Sequence, residues 1–185
     1  MPRGAHLSRC CEVWQRLMPD RTIVYSEVIP RHEIRRFSSG DETALFRVYF
    51  SAIHEIASRD YTQEQINAWA PIDLDQKLWA KRMQDIRPFV VELYDEIVGY
   101  GDVQPNGYID HFFVSGRHSK QGIGSLLIGR IHQEAQVLGF KEMTSNVSLT
   151  AQPFFERYGF QAVEQRNAVL GGVTLHNALM RKILF

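Results

Sequence analysis

Two glycines one residue apart, Gly122 and Gly124, follow two cations, Arg117 and Lys120. They open a stretch whose apolar residues fall at Ile123, Leu126, Leu127, Ile131, Ala135 and Leu138. Those steps of three and four are helical. The first turn of a helix leaves backbone N–H groups without partners, and the helix dipole adds partial positive charge there. An anion on that turn gains about 0.3–1 kcal/mol from the dipole. Glycines lack Cβ atoms, so anion oxygens can approach the N–H groups closely. The pattern describes a pyrophosphate seat over Ser119, Lys120, Gln121, Gly122, Ile123, Gly124 and Ser125, with Arg117 adding mobile charge. Just upstream, the apolar run from Ile109 to Val114 is interrupted by Asp110 and His111, two side chains able to relay a proton.

The elements that must position these groups do not suit the common nucleotide sites. A P-loop needs a Lys after its last glycine, and Gly124 is followed by Ser125 and Leu126. A dinucleotide fingerprint needs a third glycine where Leu127 stands, within a βαβ unit. The upstream pattern instead predicts an antiparallel meander. Pro88 to Tyr94 is one strand, Asp95-Glu96 a tight turn, and Ile97 to Gln104 the next strand. Pro105-Asn106-Gly107 is a hairpin turn, and Tyr108 to Val114 returns as a single strand. On a regular strand Asp110 and His111 point to opposite faces, so only one can be aimed at a substrate.

The blocks VELYDEIVGYGDVQ, IDHFFVSGRHSKQGIGSLL and SLTAQPFFERYGF, in this order, resemble the GNAT superfamily of acyl-coenzyme A-dependent N-acetyltransferases. SRDYTQEQINAWAP is similar to a bacterial subgroup of it, and the resemblance spans roughly residues 32–182. It implies an α+β GNAT fold: a mixed, mostly antiparallel central sheet flanked by helices and splayed at the acetyl-CoA site. It implies that the glycine loop holds the pyrophosphate of acetyl-CoA. The backbone of Phe112, Phe113 and Val114 binds the pantetheine arm and offers an N–H to the thioester oxygen. It also implies direct attack of a neutral amine on the thioester. The helices after the first strand form one wall of the acceptor site, which makes Tyr61, Trp69 and Trp79 candidate substrate contacts, with core or lid packing as the other reading of each. Glu92, on a neighbouring strand, joins them.

Three positions depart from the family pattern. Ser119 stands where the loop has Gln or Arg, and Ser148 where Asn precedes the fourth helix. Phe155 stands at the frequent general-acid Tyr and cannot give a proton; Tyr158 and Ser148 are the hydroxyls that remain. Asp110, His111 and Tyr158 are therefore the expected catalytic set, with Ser148 and Phe155 bordering the cofactor. The expected acceptor is a small amine or a peptide N-terminus. Because of Phe155, the alternative reading is an acyl-CoA-binding module with little turnover.

The chain of 185 residues suits one domain, expected over 31–185 after an N-terminal extension over 1–30. Zero formal net charge argues against a nucleic-acid binder. The two cysteines are adjacent, Cys10-Cys11, without metal spacing or a disulfide framework, which fits a reducing compartment. No stretch is apolar enough to cross a membrane, so a cytoplasmic enzyme is expected. A homodimer would follow the family's habit. His32, His54, His118, His132 and His176 show no metal spacing and read as solvent-facing, so no metal is expected.

Around this centre, Ile34 to Phe37 reads as a strand, and Asp41 as the N-cap of a helix running to Ala57. Thr62 with Gln65 forms a capping box for a short helix to Ala70. Asp75 to Asp85 is a further helix. After Gly139, Lys141 to Val147 is a strand and Gln152 to Tyr158 a short helix. Phe160 to Gln165, Gly172 to Leu175 and Ala178 to Ile183 read as closing strands.

Overall fold

A computed structural model describes residues 32–184; the expected extension over 1–30 lies outside them. Strand β1 (His32–Arg36) is followed by helix α1 (Glu42–Ser51), which runs on through a π-helical turn (Ala52–Ile56) and a 3-10 turn (Ala57–Arg59). Helices α2 (Gln63–Trp69) and α3 (Gln76–Ile86) come next, then strands β2 (Phe89–Leu93) and β3 (Glu96–Gly101). The centre holds β4 (Tyr108–Ile109), β5 (Phe112–Val114) and helix α4 (Ile123–Val137). Strand β6 (Glu142–Ser148), helix α5 (Gln152–Arg157) and the hairpin β7 (Gln161–Leu170) and β8 (Val173–Ile183) complete the described chain.

Local chemistry sets most of the boundaries. The Thr62 hydroxyl accepts from the Gln65 N–H at 3.3 Å while the Gln65 amide oxygen takes the Thr62 N–H at 2.9 Å, the expected capping box. Asp75 caps α3 by accepting from the N–H groups of Lys77 and Leu78. Asp41 does not cap α1: its carboxylate is drawn away by Arg35 and the Ser38 N–H. Gly139, at φ +70°, ends α4, with the Phe140 N–H reaching back to the Ala135 carbonyl at 2.9 Å. The three closing segments form one long hairpin, because Gly171 and Gly172, both at positive φ, make its turn.

The return from Tyr108 to Val114 is not one strand. Tyr108 and Ile109 pair parallel with Thr144 and Ser145 of β6. Phe112 to Val114 pair antiparallel with Gly101 to Gly99 of β3. Asp110 and His111 carry the chain from one sheet to the other. Two four-stranded sheets result, β1-β2-β3-β5 and β4-β6-β8-β7, which part where β5 and β6 diverge. One core buries Val90 and Tyr100 against α1, α2 and α3; the other buries Val91, Val98 and Ile109 against α4 and β8. Gly99 lets α4 close onto β3, since a Cβ there would lie 2.7 Å from Ile123.

Candidate active site

A cleft of about 590 Å³ opens where the sheets part. One wall is β5, with Phe112, Phe113 and Val114, and the other is β6, with Ser145 to Ser148. The π-helical turn closes one end with Ala52, Ile53 and Ile56, and Ala57 and Trp69 stand beside them. The other end is the loop from His118 to Ser125, faced by Phe154, Phe155 and Arg157 of α5.

Backbone groups point into the opening. Ser115 N–H bonds to Val98 O, and Asp102 N–H to His111 O, each at about 3 Å. Antiparallel pairing alternates, so Phe113 faces Tyr100 across the ladder while the N–H and C=O groups of Phe112 and Val114 turn away from β3. β5 is the edge of its sheet, so those groups face the splay. At the loop, Gly122 has φ +85° and no side chain among the described residues caps α4. Its first-turn N–H groups therefore stay open to an anion. Gly124 has a different reason to lack a side chain: a Cβ would lie 3.0 Å from the Phe154 ring.

Of the expected phosphate and pantetheine residues, Phe112, Phe113, Val114, Ser119, Lys120, Gly122, Ile123, Gly124, Ser125, Ser148 and Phe155 all line this cleft. Arg117 and Gln121 do not. Arg117 borders a second groove beside Ser115, and Gln121 donates to the Arg117 carbonyl at 3.2 Å. Sequence reasoning missed Arg59, Arg157 and His118, which all border the cleft. Arg157 sits inside the SLTAQPFFERYGF block, so its neighbours were the available signal.

Asp110 and His111 do not face opposite ways. The crossing between sheets breaks the strand alternation, and His111 Nε2 lies 3.4 Å from Asp110 Oδ2. Asp110 lines the cleft and is ion-paired with Arg82 of α3. His111 is ringed by Tyr49, Trp79, Tyr100 and Phe113. Its Nδ1 is 3.0 Å from the hydroxyl of fully buried Tyr100. Burial, with Tyr49, Asp102 and Asp110 nearby, drives the Tyr100 phenol well above its usual pKa. Tyr100 thus stays protonated. With Nε2 set 3.4 Å from the Asp110 carboxylate, the neutral His111 ring carries its proton there, and Nδ1 accepts from the Tyr100 hydroxyl. Burial pushes His111 down to about 4, a fall that Asp110 opposes and Arg82 reinforces. With one nitrogen occupied and the other carrying hydrogen, His111 has no free lone pair for an incoming proton, and Asp110 is the group of the pair exposed to substrate.

The buried carboxylate of Asp102, also missed, organises this crossing. Its Oδ1 accepts from the backbone N–H groups of Asp110 at 3.1 Å and His111 at 2.6 Å, and Gln104 donates to Oδ2. Burial raises its pKa to about 6 against the pull of those hydrogen bonds.

Three of the four expected acceptor contacts are occupied elsewhere. Trp79 is buried in the first core, its indole N–H donating to the Glu42 carbonyl at 2.7 Å. Tyr61 is buried too, its hydroxyl joining His176 O at 2.5 Å to Leu149 N–H at 3.0 Å. Glu92 lies in the second groove, ion-paired with Arg35, which Asp41 holds from the other side. Trp69 alone borders the cleft, edge-on to Phe113. Tyr158 does not line it: its hydroxyl donates to Ser125 Oγ at 2.6 Å, over the start of α4. Several histidines also have partners rather than solvent. His54 stacks on Phe50, and His132 stacks on Phe160 with Lys182 at 3.2 Å. The Nδ1 of His118 is buried without a hydrogen-bond partner among the described residues. No group of three or more metal-ligating side chains is found among the described residues. No helix among them is long and apolar enough to cross a membrane.

Comparison with known proteins identifies the family and the fold. The acetyltransferase (GNAT) domain model matches residues 57–183. The uncharacterized N-acetyltransferase YafP of Escherichia coli (strain K12) is 32% identical over 149 residues, 80% of this chain and 94% of that protein. A GCN5-related N-acetyltransferase from Rhodopseudomonas palustris superposes with a TM-score of 0.79 at 24% identity, covering 84% of this chain and 96% of that one. The PaiA N-acetyltransferase of Thermoplasma acidophilum, solved with coenzyme A, superposes with a TM-score of 0.66 at 16% identity, covering 83% and 99%. These two structures share the fold.

Proposed function

The chain belongs to the GNAT acetyltransferase family, and from that premise we propose that it transfers the acetyl group of acetyl-CoA to a primary amine of a small molecule or a peptide N-terminus. The observation that carries this reading is the junction of two open backbone surfaces in one cleft. Among the described residues, the first turn of α4, which no side chain caps, meets β5, the edge of its sheet. The first suits a pyrophosphate and the second an extended, amide-bearing arm.

On this reading the loop from Ser119 to Ser125, with Lys120 and Arg157 at its rim, holds the phosphates. The N–H of Phe112 or Val114 meets the thioester oxygen, where a fixed donor acts in a site shielded from water. Acetyl-CoA supplies an activated carbonyl: attack by a neutral amine forms the amide and releases the thiol. At neutral pH an alkyl ammonium of pKa about 10.4 costs roughly 4–5 kcal/mol to deprotonate. Asp110 attracts that ammonium and receives its proton, directly or through water, while His111 fixes its orientation. Fixing both reactants can contribute about 7–11 kcal/mol, so turnover does not depend on a hydroxyl at Phe155. A cytoplasmic homodimer completes the proposal, resting on the cysteine usage and the family's habit.

The test is thiol release from acetyl-CoA across an amine panel. Release that requires both acetyl-CoA and an amine is the expected result. Coenzyme A binding without release from any amine would instead favour a binding module.

A further inference from the structure

The pairing of Asp110 with Arg82 bears on which amine is acetylated. Asp110 is the carboxylate that the cleft presents, with 22% of its side chain exposed. Arg82 is not itself a lining residue: it projects from α3 beside the cleft with half its side chain exposed, and its hydrogen-bond partner among the described residues is Asp110. A plain ammonium arriving at Asp110 would set two cations on one carboxylate and leave the guanidinium facing a like charge. An acceptor that brings its own anion removes this conflict: one ion pair is exchanged for two. The spacing is also defined. Arg82 and Asp110 are in direct contact, so the two charges they exchange for must be neighbours on the acceptor as well. The planar guanidinium fork matches a carboxylate bidentately.

We infer that the acceptor is an amine carrying an anionic group one or two carbons from its nitrogen, as in an α-amino acid, with Asp110 taking the ammonium and Arg82 the anion. This rests on the cleft being the acceptor site of an acetyltransferase. Trp69 and Phe113, both on the cleft wall, are placed to meet the remainder of such a molecule. Arg166, which donates to Asn146 of β6 at 3.2 Å, is already paired with Glu164. A carboxylate, a phosphonate and a phosphate ester share the required chemistry.

The experiment measures thiol release for matched sets: an amino acid, its aminophosphonic analogue, its carboxamide, its decarboxylated amine and the diamine of the same length. In the wild-type protein kcat/KM should favour the anionic members by at least about tenfold, the scale of one charge-assisted contact. The two anionic arms then separate carboxylate from phosphonate. In R82Q that preference should fall toward unity. In R82E it should turn toward diamines of the same length, since two carboxylates then face the acceptor. A coenzyme A-induced thermal shift in each variant shows that fold and cofactor seat survive. Equal or better use of amines without an anion by the wild type, or a preference kept by R82Q, overturns the inference and leaves acetyl transfer standing. No thiol release from any amine overturns the proposed activity itself.

Discussion

The carboxylate of Asp102 holds the backbone N–H of His111 at 2.6 Å and, with the same oxygen, that of Asp110 at 3.1 Å. At this step the chain leaves the β6 sheet for the β3 sheet, and both N–H groups lose their strand partners. A fully buried acid replaces the missing ladder. Buried N–H groups left unpaired cost about 1–3 kcal/mol each, so the crossing that presents Asp110 depends on a residue that does not touch the cleft.

Asp102 and His111 pull stability in opposite directions with pH. Asp102, at about 6 against an ordinary 3.8, contributes stability in full below 3.8 and loses it as pH rises through 6. His111, at about 4 against 6.5, contributes stability above 6.5 and loses it as pH falls toward 4. Between 4 and 6 the two slopes nearly cancel. Asp102→Asn keeps the acceptor oxygen for both N–H groups, and Gln104 can turn its own amide to answer the new one. The variant should match or exceed wild-type stability at pH 7. Relative to the wild type it should lose roughly 3 kcal/mol between pH 6 and pH 4, the scale of a two-unit shift. Urea denaturation at pH 4, 6 and 7.5 measures this, and parallel curves for the two proteins would contradict it.

His111 should stay neutral through the physiological range. Nitrogen-detected NMR is expected to show the Nε2-protonated ring above pH 5 and a midpoint near 4. The pH profile of kcat/KM should then lack a histidine limb between 6 and 7. A limb there that disappears in His111→Gln would restore His111 as the base.

The two glycines of the loop should fail differently. Around Gly122 a Cβ meets open space, but its φ of +85° disfavours side chains. Gly122→Asn, whose side chain tolerates that region, should retain coenzyme A binding. Gly122→Glu should lose it by adding negative charge at the phosphate seat. Gly124→Ala keeps good helix geometry yet presses on Phe154 at 3.0 Å, so it should weaken binding by displacing that ring. Calorimetric titration of coenzyme A into folded variants orders the three. Binding unchanged in Gly122→Glu would place the phosphates elsewhere.

The glycine loop, the helix behind it and the capping box at Thr62 were legible because each follows from local residue types. Period-two alternation could not reveal the break between Ile109 and Phe112. That break comes from two different strand partners, β6 and β3, which are remote in sequence. The same break undid the opposite-face argument for Asp110 and His111. Asp102 was silent because a single acid at a strand end looks like any turn residue. Trp79 and Tyr61 lie in the core rather than on the cleft wall, which the sequence could not show for a related reason. Aromatic spacing on a helix does not say which side the core lies on, and their polar atoms were already matched to Glu42, His176 and Leu149. The π-helical turn at Ala52–Ile56 had no periodic signature, although it turns Ile53 and Ile56 toward the cleft.

Trp79→Phe therefore tests a core role against a substrate role. It loses the hydrogen bond to Glu42 and part of a buried ring, which should cost about 1–3 kcal/mol of stability. KM for the acceptor should stay within about twofold, well below a lost binding contact of 1.4 kcal/mol or more. Thermal denaturation and steady-state kinetics on the same samples separate the two effects. A raised KM with unchanged stability would return Trp79 to the acceptor wall.

Tyr158 is the last open question of the chemistry, because it is a phenol within the block that usually supplies the acid. Its hydroxyl is committed to Ser125 Oγ at 2.6 Å, and its ring packs on Phe154 at 4.8 Å. Both contacts brace the start of α4 against α5, next to the proposed phosphate seat. Tyr158→Phe should then change kcat by less than about threefold, against the 10²–10⁴-fold expected for a lost general acid or base. KM for acetyl-CoA should rise instead, because Ser125 loses the partner that orients it. Ser125→Ala should reproduce that rise, and the double variant should add little, since both remove one interaction. A collapse of kcat in Tyr158→Phe, with KM for acetyl-CoA preserved, would assign the leaving thiolate's proton to Tyr158 and require the α4–α5 contact to open during turnover.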